Sequence, residues 1–388
     1  MMEFFPQQPN LDAEGNDLNG IPSLNMLAIT ARLNLTIQGP DVLGAKVKGF
    51  IEGDFTGATD PTINMLRLRH GYLLMDWSKA NVKGKRGGEL LMGQYWYPMV
   101  VQEVMPEVQP LNTGAPFHPY ARYNQVRYSH HLGHWTLFGV AAFQLDNKSQ
   151  GPQGSSTLYL RSSCIPELHA QLQYRNGAFF AGAAANYTCI QPRNYITDYA
   201  AQNYYLTNQT FVHTTFSAFL RYNWTNWTLK AQTLLSDNLY EGCTMGGYLE
   251  LDQPYFDESS LNYIHDYSYR PFTYTTAWMD LGKSKGTWRP GVFLGYAKNN
   301  NFGENFSINE TAYGRGYNID YLYRIQPRLG YYAGNGLSFH AEIEYTFAQY
   351  GEKITDHLQP DMHRYHYEAK PELGVGNLRC ILGAVYAF

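Results

Sequence analysis

Two pairs of carboxylates stand two residues apart, Glu52 with Asp54 and Glu342 with Glu344. Two carboxylates that face one substrate are the catalytic pair of a glycosidase. The same spacing also puts both side chains on one face of a β-strand, because successive strand side chains point to opposite faces. Charged and apolar residues alternate around both pairs, so the spacing favours a strand face, and we predict no catalytic residues.

A histidine cluster, His130, His131 and His134, offers a second kind of chemistry, metal binding. These residues flank a tight turn at His131-Leu132-Gly133, and no Cys, Asp or Glu stands beside them at ligand spacing. A surface turn therefore explains them better. We predict no metal and no cofactor.

The elements that carry these residues are long segments of alternating charged and apolar character. On one such segment Lys46, Lys48, Glu52 and Asp54 share a face with Phe50. On the next, Leu66, Leu68, Tyr72 and Leu74 form one predicted face and Arg67, Arg69 and Gly71 the other. The segments run for about 10 to 14 residues, longer than the roughly 5 to 6 of a usual soluble strand.

Composition narrows the class of protein. The 388 residues carry a net charge of -4 without a basic excess, which disfavours a nucleic-acid partner. Aromatic residues make up 15% of the chain and include 33 Tyr, yet the mean hydropathy is -0.40. No run approaches the roughly 18 to 20 apolar residues of a membrane-spanning helix. A closed barrel of two-faced strands is the other way to cross a bilayer.

Connections alternate between short turns and long loops, the rhythm of outer-membrane barrels. We therefore predict an all-β fold, a transmembrane antiparallel β-barrel formed by residues 1–388 as a single domain. The predicted strands are 24–37, 44–55, 63–77, 88–97, 121–131, 134–146, 157–175, 178–190, 208–224, 226–240, 269–282, 287–298, 318–333, 336–350 and 364–388.

This count of about fifteen strands conflicts with the even number found in bacterial single-chain barrels. If the short turns are periplasmic, the first predicted strand enters from outside. We then expect a first strand to be missing upstream and residues 1–22 to be the remnant of an extracellular loop. Alternatively, 364–388 is two strands divided at Gly374-Val375-Gly376-Asn377, where the apolar parity changes. That change is also what a β-bulge within one strand produces.

Several segments resemble the DcaP-like group of trimeric outer-membrane porins, in the version found in the Bacteroidota. The resembling segments are Gly39-Pro40-Asp41-Val42-Leu43-Gly44-Ala45-Lys46, Glu52-Gly53-Asp54-Phe55, Leu66-Arg67-Leu68-Arg69-His70-Gly71-Tyr72, Leu91-Met92-Gly93-Gln94-Tyr95-Trp96 and Asn112-Thr113-Gly114-Ala115-Pro116-Phe117. The last residues resemble an outer-membrane assembly signal, with Tyr386 and the terminal aromatic Phe388. The resemblance implies sixteen strands, a homotrimer and one long loop folded into the lumen.

In such a barrel the functional residues are charges at the constriction. We predict that basic and acidic groups oppose each other there and set charge preference; alternatively, they are simply solvated or paired. The predicted lining residues are Lys46, Lys48, Glu52, Asp54, Arg67, Arg69, Glu103, Glu107 and Arg127.

Two of the four cysteines suggest a cross-strand bond. A hairpin turning at Asn176 and Gly177 pairs Leu172 with Ala181 and brings Cys164 opposite Cys189. A disulfide between them is a hypothesis, because such bonds demand close and specific geometry. Cys380 is predicted to stay free.

Taken together, these patterns favour a bacterial outer-membrane porin that passes small hydrophilic, charged or dipolar solutes passively. Its expected partners are outer-membrane lipid, lipopolysaccharide, the barrel-assembly machinery and two further copies of the chain. Two alternatives stay open, a barrel enzyme such as a lipid hydrolase and a surface adhesin. No Ser/His/Asn or Asp/His group at one depth supports the enzyme.

Overall fold

The computed structural model describes residues 4–57, 62–78, 87–200, 203–307, 309–357 and 363–387. Within these ranges one short α-helix, α1 (Leu158–Ser162), and two single-turn 3-10 helices (Gln102–Val104 and Tyr240–Gly242) interrupt an otherwise β structure. The strands are β1 (Arg32–Gln38), β2 (Lys46–Asp54), β3 (Arg67–Asp76), β4 (Gly88–Trp96), β5 (Arg122–Leu132), β6 (Trp135–Gln144), β7 (Glu167–Asn176), β8 (Phe179–Ile190), β9 (Tyr195–Thr197), β10 (Tyr204–Leu206), β11 (Phe211–Trp224), β12 (Trp227–Ser236), β13 (Gly246–Asp252), β14 (Tyr255–Asp257), β15 (Asn262–Ile264), β16 (Tyr267–Pro271), β17 (Tyr274–Lys283), β18 (Trp288–Asn299), β19 (Phe306–Ser307), β20 (Glu310–Arg315), β21 (Ile319–Gly334), β22 (Leu337–His357) and β23 (His363–Tyr386).

The main sheet has 16 strands in the order β1-β2-β3-β4-β5-β6-β7-β8-β11-β12-β17-β18-β21-β22-β23-β19. Apart from the two-residue β19, these strands follow chain order, and every neighbouring pair is antiparallel. The predicted all-β antiparallel architecture is confirmed. The remaining short strands belong to the long loops, where β16, β13 and β20 form a separate small sheet.

The two faces of the main sheet have reversed polarity compared with a soluble protein. On β1, for example, Leu33, Leu35 and Ile37 are half or more exposed. On the inner face, Gln232 and Gln326 are buried polar side chains. Apolar side chains outward and polar side chains inward is the pattern of a barrel in lipid.

Aromatic side chains gather on the outer face near both ends of the strands. At the end with short turns, Trp135 lies 4.8 Å from Tyr174 between ring centroids. At the opposite end, Tyr323 stacks on Phe347 at 5.3 Å. Aromatic rings with a polar edge suit the membrane-water boundary, so these two bands resemble the girdles of membrane barrels.

The sheet is open in the part of the chain that the structure describes. β1 pairs with β2 alone, and β23 pairs with β22 and, near its start, with β19. β1 and β23, the first and fifteenth strands of this antiparallel series, run in the same direction.

The last segment is one strand, so its proposed division at 374–377 is wrong. Gln349 pairs with Gly374 and Gly351 with Ala369, which leaves residues 370–373 as a bulge opposite Tyr350. The bulge explains the change of apolar parity without a turn.

A second bulge corrects the predicted faces of β3. Glu52 pairs with His70 while Gly53 pairs with Leu68, so one residue is inserted. Leu66 and Leu68 face outward as predicted, but Tyr72 and Leu74 line the interior. Because the bulge reverses the alternation, polar residues before it and apolar residues after it share the inner face.

The predicted disulfide is wrong. Residues 157–166 contain α1 and a turn rather than a strand, and Cys164 lies in that turn with a positive φ of 57°. β7 and β8 also pair two positions away from the prediction, Leu172 with Ala183. Cys164 and Cys189 are both free thiols.

No helix among the described residues is both long enough and apolar enough to cross a membrane.

Candidate permeation pathway

The connection between β4 and β5, residues 97–121, folds inside the curled sheet, and we call it the lumen loop. Its side chains Tyr97, Met99, Val104 and Phe117 are fully buried. It contacts inner-face residues on strands from β7 to β22, which requires the sheet to curve around it. The prediction that one long loop folds into the lumen is confirmed.

Glu103 fastens the first part of the lumen loop. Its carboxylate accepts a hydrogen bond from Arg175 on β7 at 2.8 Å. Its carbonyl oxygen accepts one from Arg221 on β11 at 3.3 Å. Both arginines are inner-face residues at the end of the barrel with short turns.

Glu107 fastens the middle of the loop. Its carboxylate accepts from Lys230 Nζ at 2.8 Å, and its backbone N–H donates to Asp280 at 3.2 Å. Arg328 holds Asp280 with two hydrogen bonds of 2.8 Å. Charged hydrogen bonds of this kind are about twice as strong as neutral ones.

The end of the loop is held against β18, β21 and β22. The Gln109 N–H donates to Glu342 at 2.7 Å, and Arg324 donates to the Ala115 carbonyl at 2.9 Å. Phe117 packs directly on Gly295, where a Cβ atom would stand 2.5 Å from the ring. Glycine is therefore required for this close approach.

Sequence reasoning predicted Glu103 and Glu107 but missed their partners. These partners, Arg175, Arg221, Lys230 and Asp280, lie on the inner faces of β7, β11, β12 and β17, so each had a periodicity signal. Nothing in the sequence indicated which strands the loop would reach, because the contacts join residues 72 or more positions apart.

Four predicted residues come together at the end of β2 and β3 that bears the long loops. Arg69 bonds to Glu52 at 2.7 Å and to Asp54 at 2.9 Å. Arg67 binds the Asp54 carboxylate through two nitrogens, at 3.1 and 2.9 Å. Asp54 is 1% exposed, so this cluster is a paired and largely neutral wall of the lumen rather than a free row of charges.

The remaining strand residues of the prediction lie elsewhere. Lys46 forms an exposed ion pair with Asp41 at 2.8 Å in the β1–β2 turn. Lys48 lies on the same face of β2, between this ion pair and the cluster around Asp54, and has no ionic partner among the described residues. Tyr386 ends β23 with an exposed side chain, and Phe388 lies outside the described residues.

Arg127 lines the main cavity, about 950 Å³ at the end with short turns. The lumen loop forms one side of this cavity, and β3 to β7 form the other. The Arg127 guanidinium lies 5.3 Å from the Tyr95 ring and 5.7 Å from the Phe138 ring. Its Nε has no hydrogen-bond partner among the residues that the structure describes. Glu103 and Glu89 supply negative charge to the same walls.

No group of three or more His, Cys, Asp and Glu side chains in the described ranges is arranged to hold a metal ion. His131 of the predicted turn bonds to Thr136, and His134 bonds to the Arg175 carbonyl at 2.9 Å. The first contact closes the turn, and the second joins it to the end of β7.

Several solved outer-membrane proteins share this architecture. The outer membrane channel DcaP of Acinetobacter baumannii matches with a TM-score of 0.64 at 16% identity, over 99% of this chain and 93% of that one. The anion-selective porin of Comamonas acidovorans matches with a TM-score of 0.52 at 9% identity, over 92% and 90%. Salmonella typhi OmpF matches at 0.50 and 9%, over 90% and 89%. At these identities the likeness shows the fold.

No protein-family model and no curated protein sequence matches the chain.

Proposed function

We propose that this chain is an outer-membrane porin that lets small hydrophilic, charged or dipolar solutes diffuse through its lumen. The observation that carries the proposal is the cavity between the lumen loop and β3 to β7, with Arg127, Glu89 and Glu103 in its walls. Charged groups that line a narrow aqueous passage orient dipolar solutes and set charge preference.

The outer face supports a position in the bacterial outer membrane. Exposed apolar side chains between two aromatic bands match a barrel surrounded by lipid. The long loops would then face the lipopolysaccharide side. Tyr386 and Phe388 are the residues that we propose the barrel-assembly machinery recognises.

The inner carboxylates support a passive role rather than catalysis. Glu342 accepts the Gln109 N–H, and Glu344 lies 3.6 Å from Arg324. A catalytic pair needs groups open to substrate, whereas these two are 2% exposed and engaged with the loop and the wall.

A finer assignment also belongs to this proposal. The motif segments favour the DcaP-like porins of the Bacteroidota type, assembled as homotrimers. We further infer that one antiparallel strand completes the barrel between β1 and β23, since unpaired backbone groups in lipid cost several kcal/mol each.

Liposome swelling tests the function. Proteoliposomes placed in solutions of glycine, glutamate or arabinose should swell, because each solute enters through the pore. Stachyose, a tetrasaccharide, should enter far more slowly. Swelling rates equal to those of protein-free liposomes, with protein that is folded and inserted, would contradict the proposal.

A further inference from the structure

A second cavity of about 310 Å³ lies in the loops that follow β8, β12 and β18. We call it the tyrosine pocket; Arg193, Tyr199, Glu250, Asp252, His265 and Tyr267 line it. It is separate from the lumen loop and from every residue assigned above to the pore.

The small sheet of β13, β16 and β20 builds one wall. Glu250 and Asp252 stand two residues apart on β13 and so share a face. Asp252 pairs with Tyr267 on β16, which places the ring beside the carboxylate. Because strand pairing sets these positions, the wall is formed by the fold rather than by flexible side chains alone.

Charges inside the pocket are paired with each other. Arg193 donates two hydrogen bonds to Glu250, at 2.9 and 2.7 Å. His265 Nδ1 bonds to Asp252 at 2.6 Å. The other Asp252 oxygen, Oδ1, has no hydrogen-bond partner within the described residues. The Arg193 charge offsets that of Glu250, and Asp252 keeps one oxygen open to a donor, so the polar groups of the pocket suit a ligand that donates a hydrogen bond to Asp252 Oδ1.

Aromatic faces supply the rest of the lining. The Arg193 guanidinium lies 4.0 Å from the Tyr267 ring centroid and holds that ring in place. His265 stacks parallel to Tyr267, and Tyr199 meets His265 edge-on at 4.5 Å. Tyr199 itself is 54% exposed at the edge of the pocket.

We propose that the tyrosine pocket binds a saccharide unit. A sugar ring is neutral, its C–H face stacks on an aromatic ring, and its hydroxyls both donate and accept hydrogen bonds. The pocket offers each complement: Tyr rings, carboxylate acceptors and guanidinium donors. Its volume lies at the small end of ligand pockets, as expected for a short saccharide.

Saturation-transfer NMR tests the proposal with intact protein in lauryldimethylamine oxide, a detergent without a sugar headgroup. One arm uses maltose, cellobiose and diacetylchitobiose as soluble probes. The other uses purified lipopolysaccharide. Saturable binding of a soluble probe assigns the pocket to dissolved sugars. Binding of lipopolysaccharide alone assigns it to an envelope glycan. Absence of saturable binding in both arms overturns the proposal.

Variants locate the binding. Tyr267→Ala should weaken it roughly tenfold, the size of one lost aromatic contact, whereas Tyr267→Phe should retain it. Tyr204→Ala removes a 67% exposed ring on the neighbouring hairpin and should change nothing. If Tyr267→Ala loses folded migration on gels, Tyr199→Ala takes its place. If a folded Tyr267→Ala or Tyr199→Ala variant binds the saccharide with unchanged affinity, the assignment of binding to the tyrosine pocket is overturned.

Discussion

Lys230 Nζ donates to the Glu107 carboxylate at 2.8 Å and to the Met105 carbonyl at 3.0 Å. One side chain on β12 thus holds two points of the lumen loop. The width of the lumen depends on where that loop lies, so this contact is directly connected to conductance.

Lys230→Met should loosen the lumen loop and raise current noise and mean conductance in planar bilayers. Hydrogen bonds to charged groups contribute about 1.5–3 kcal/mol each, and Lys230 is only 12% exposed. Lys285→Met removes the same charge from the exposed β17–β18 turn and serves as the control. Traces of Lys230→Met that match those of Lys285→Met would mean that the tether does not position the loop.

Arg127→Gln should shift selectivity toward cations. The guanidinium of Arg127 is held in the main cavity by contacts with aromatic rings rather than by a hydrogen bond to a carboxylate. The substitution removes its positive charge. A change of roughly 0.5 kcal/mol in local ion energy, about twofold in permeability ratio, is expected. The reversal potential across a KCl gradient measures it. Arg161→Gln, at an exposed position of helix α1, should leave that potential unchanged. An unchanged potential in Arg127→Gln would remove Arg127 from the selectivity of the pore.

Cys164 and Cys189 should behave as free thiols. The folded protein should migrate identically with and without reductant. A polar maleimide should label Cys164, which is exposed, before Cys189, which is buried. Cys164→Ser identifies the fast site by removing it. A mobility change on reduction that Cys164→Ser abolishes would restore the disulfide.

Glu241 should make stability depend on pH. It lies in the loop after β12, 3.7 Å from His213, and burial, with the nearby Glu167 carboxylate, raises the pKa of Glu241 to about 8. The folded state therefore holds this proton more tightly than the unfolded chain. The stabilisation is complete below the usual carboxyl pKa and is lost as the pH rises through about 8. Urea unfolding at several pH values should show this decline, and Glu241→Gln should flatten it. An equal decline in Glu241→Gln would place its origin elsewhere.

Alternation predicted the strands well because each strand has one face in an apolar environment and one in a polar environment. Most predicted segments after the turn at Gly39 match a strand within about five residues at each end; 157–175 and 336–350 do not, since β7 begins at Glu167 and β22 continues to His357. The first predicted strand began at residue 24, but β1 begins at Arg32. Residues 157–166, predicted as strand, contain α1 because a short amphipathic run fits either period.

The sequence did not predict the strand register around the bulges or the contacts of the lumen loop. The bulge opposite Glu52 inserts a residue without a composition signal, so Tyr72 and Leu74 were assigned to the wrong face, whereas the bulge opposite Tyr350 left a change of apolar parity in the sequence. The partners of Glu103 and Glu107 depend on how far the lumen loop extends across the barrel. That distance follows from tertiary packing, such as Phe117 on Gly295, and has no local pattern.

Single-channel recording in a planar bilayer tests the central claim most directly. Purified protein, shown to be folded by heat-modifiable migration on gels, should give discrete conductance steps that remain open at low voltage, grouped in threes if the homotrimer forms. Electrical silence of the same folded protein at high load would contradict the account of this chain as a porin.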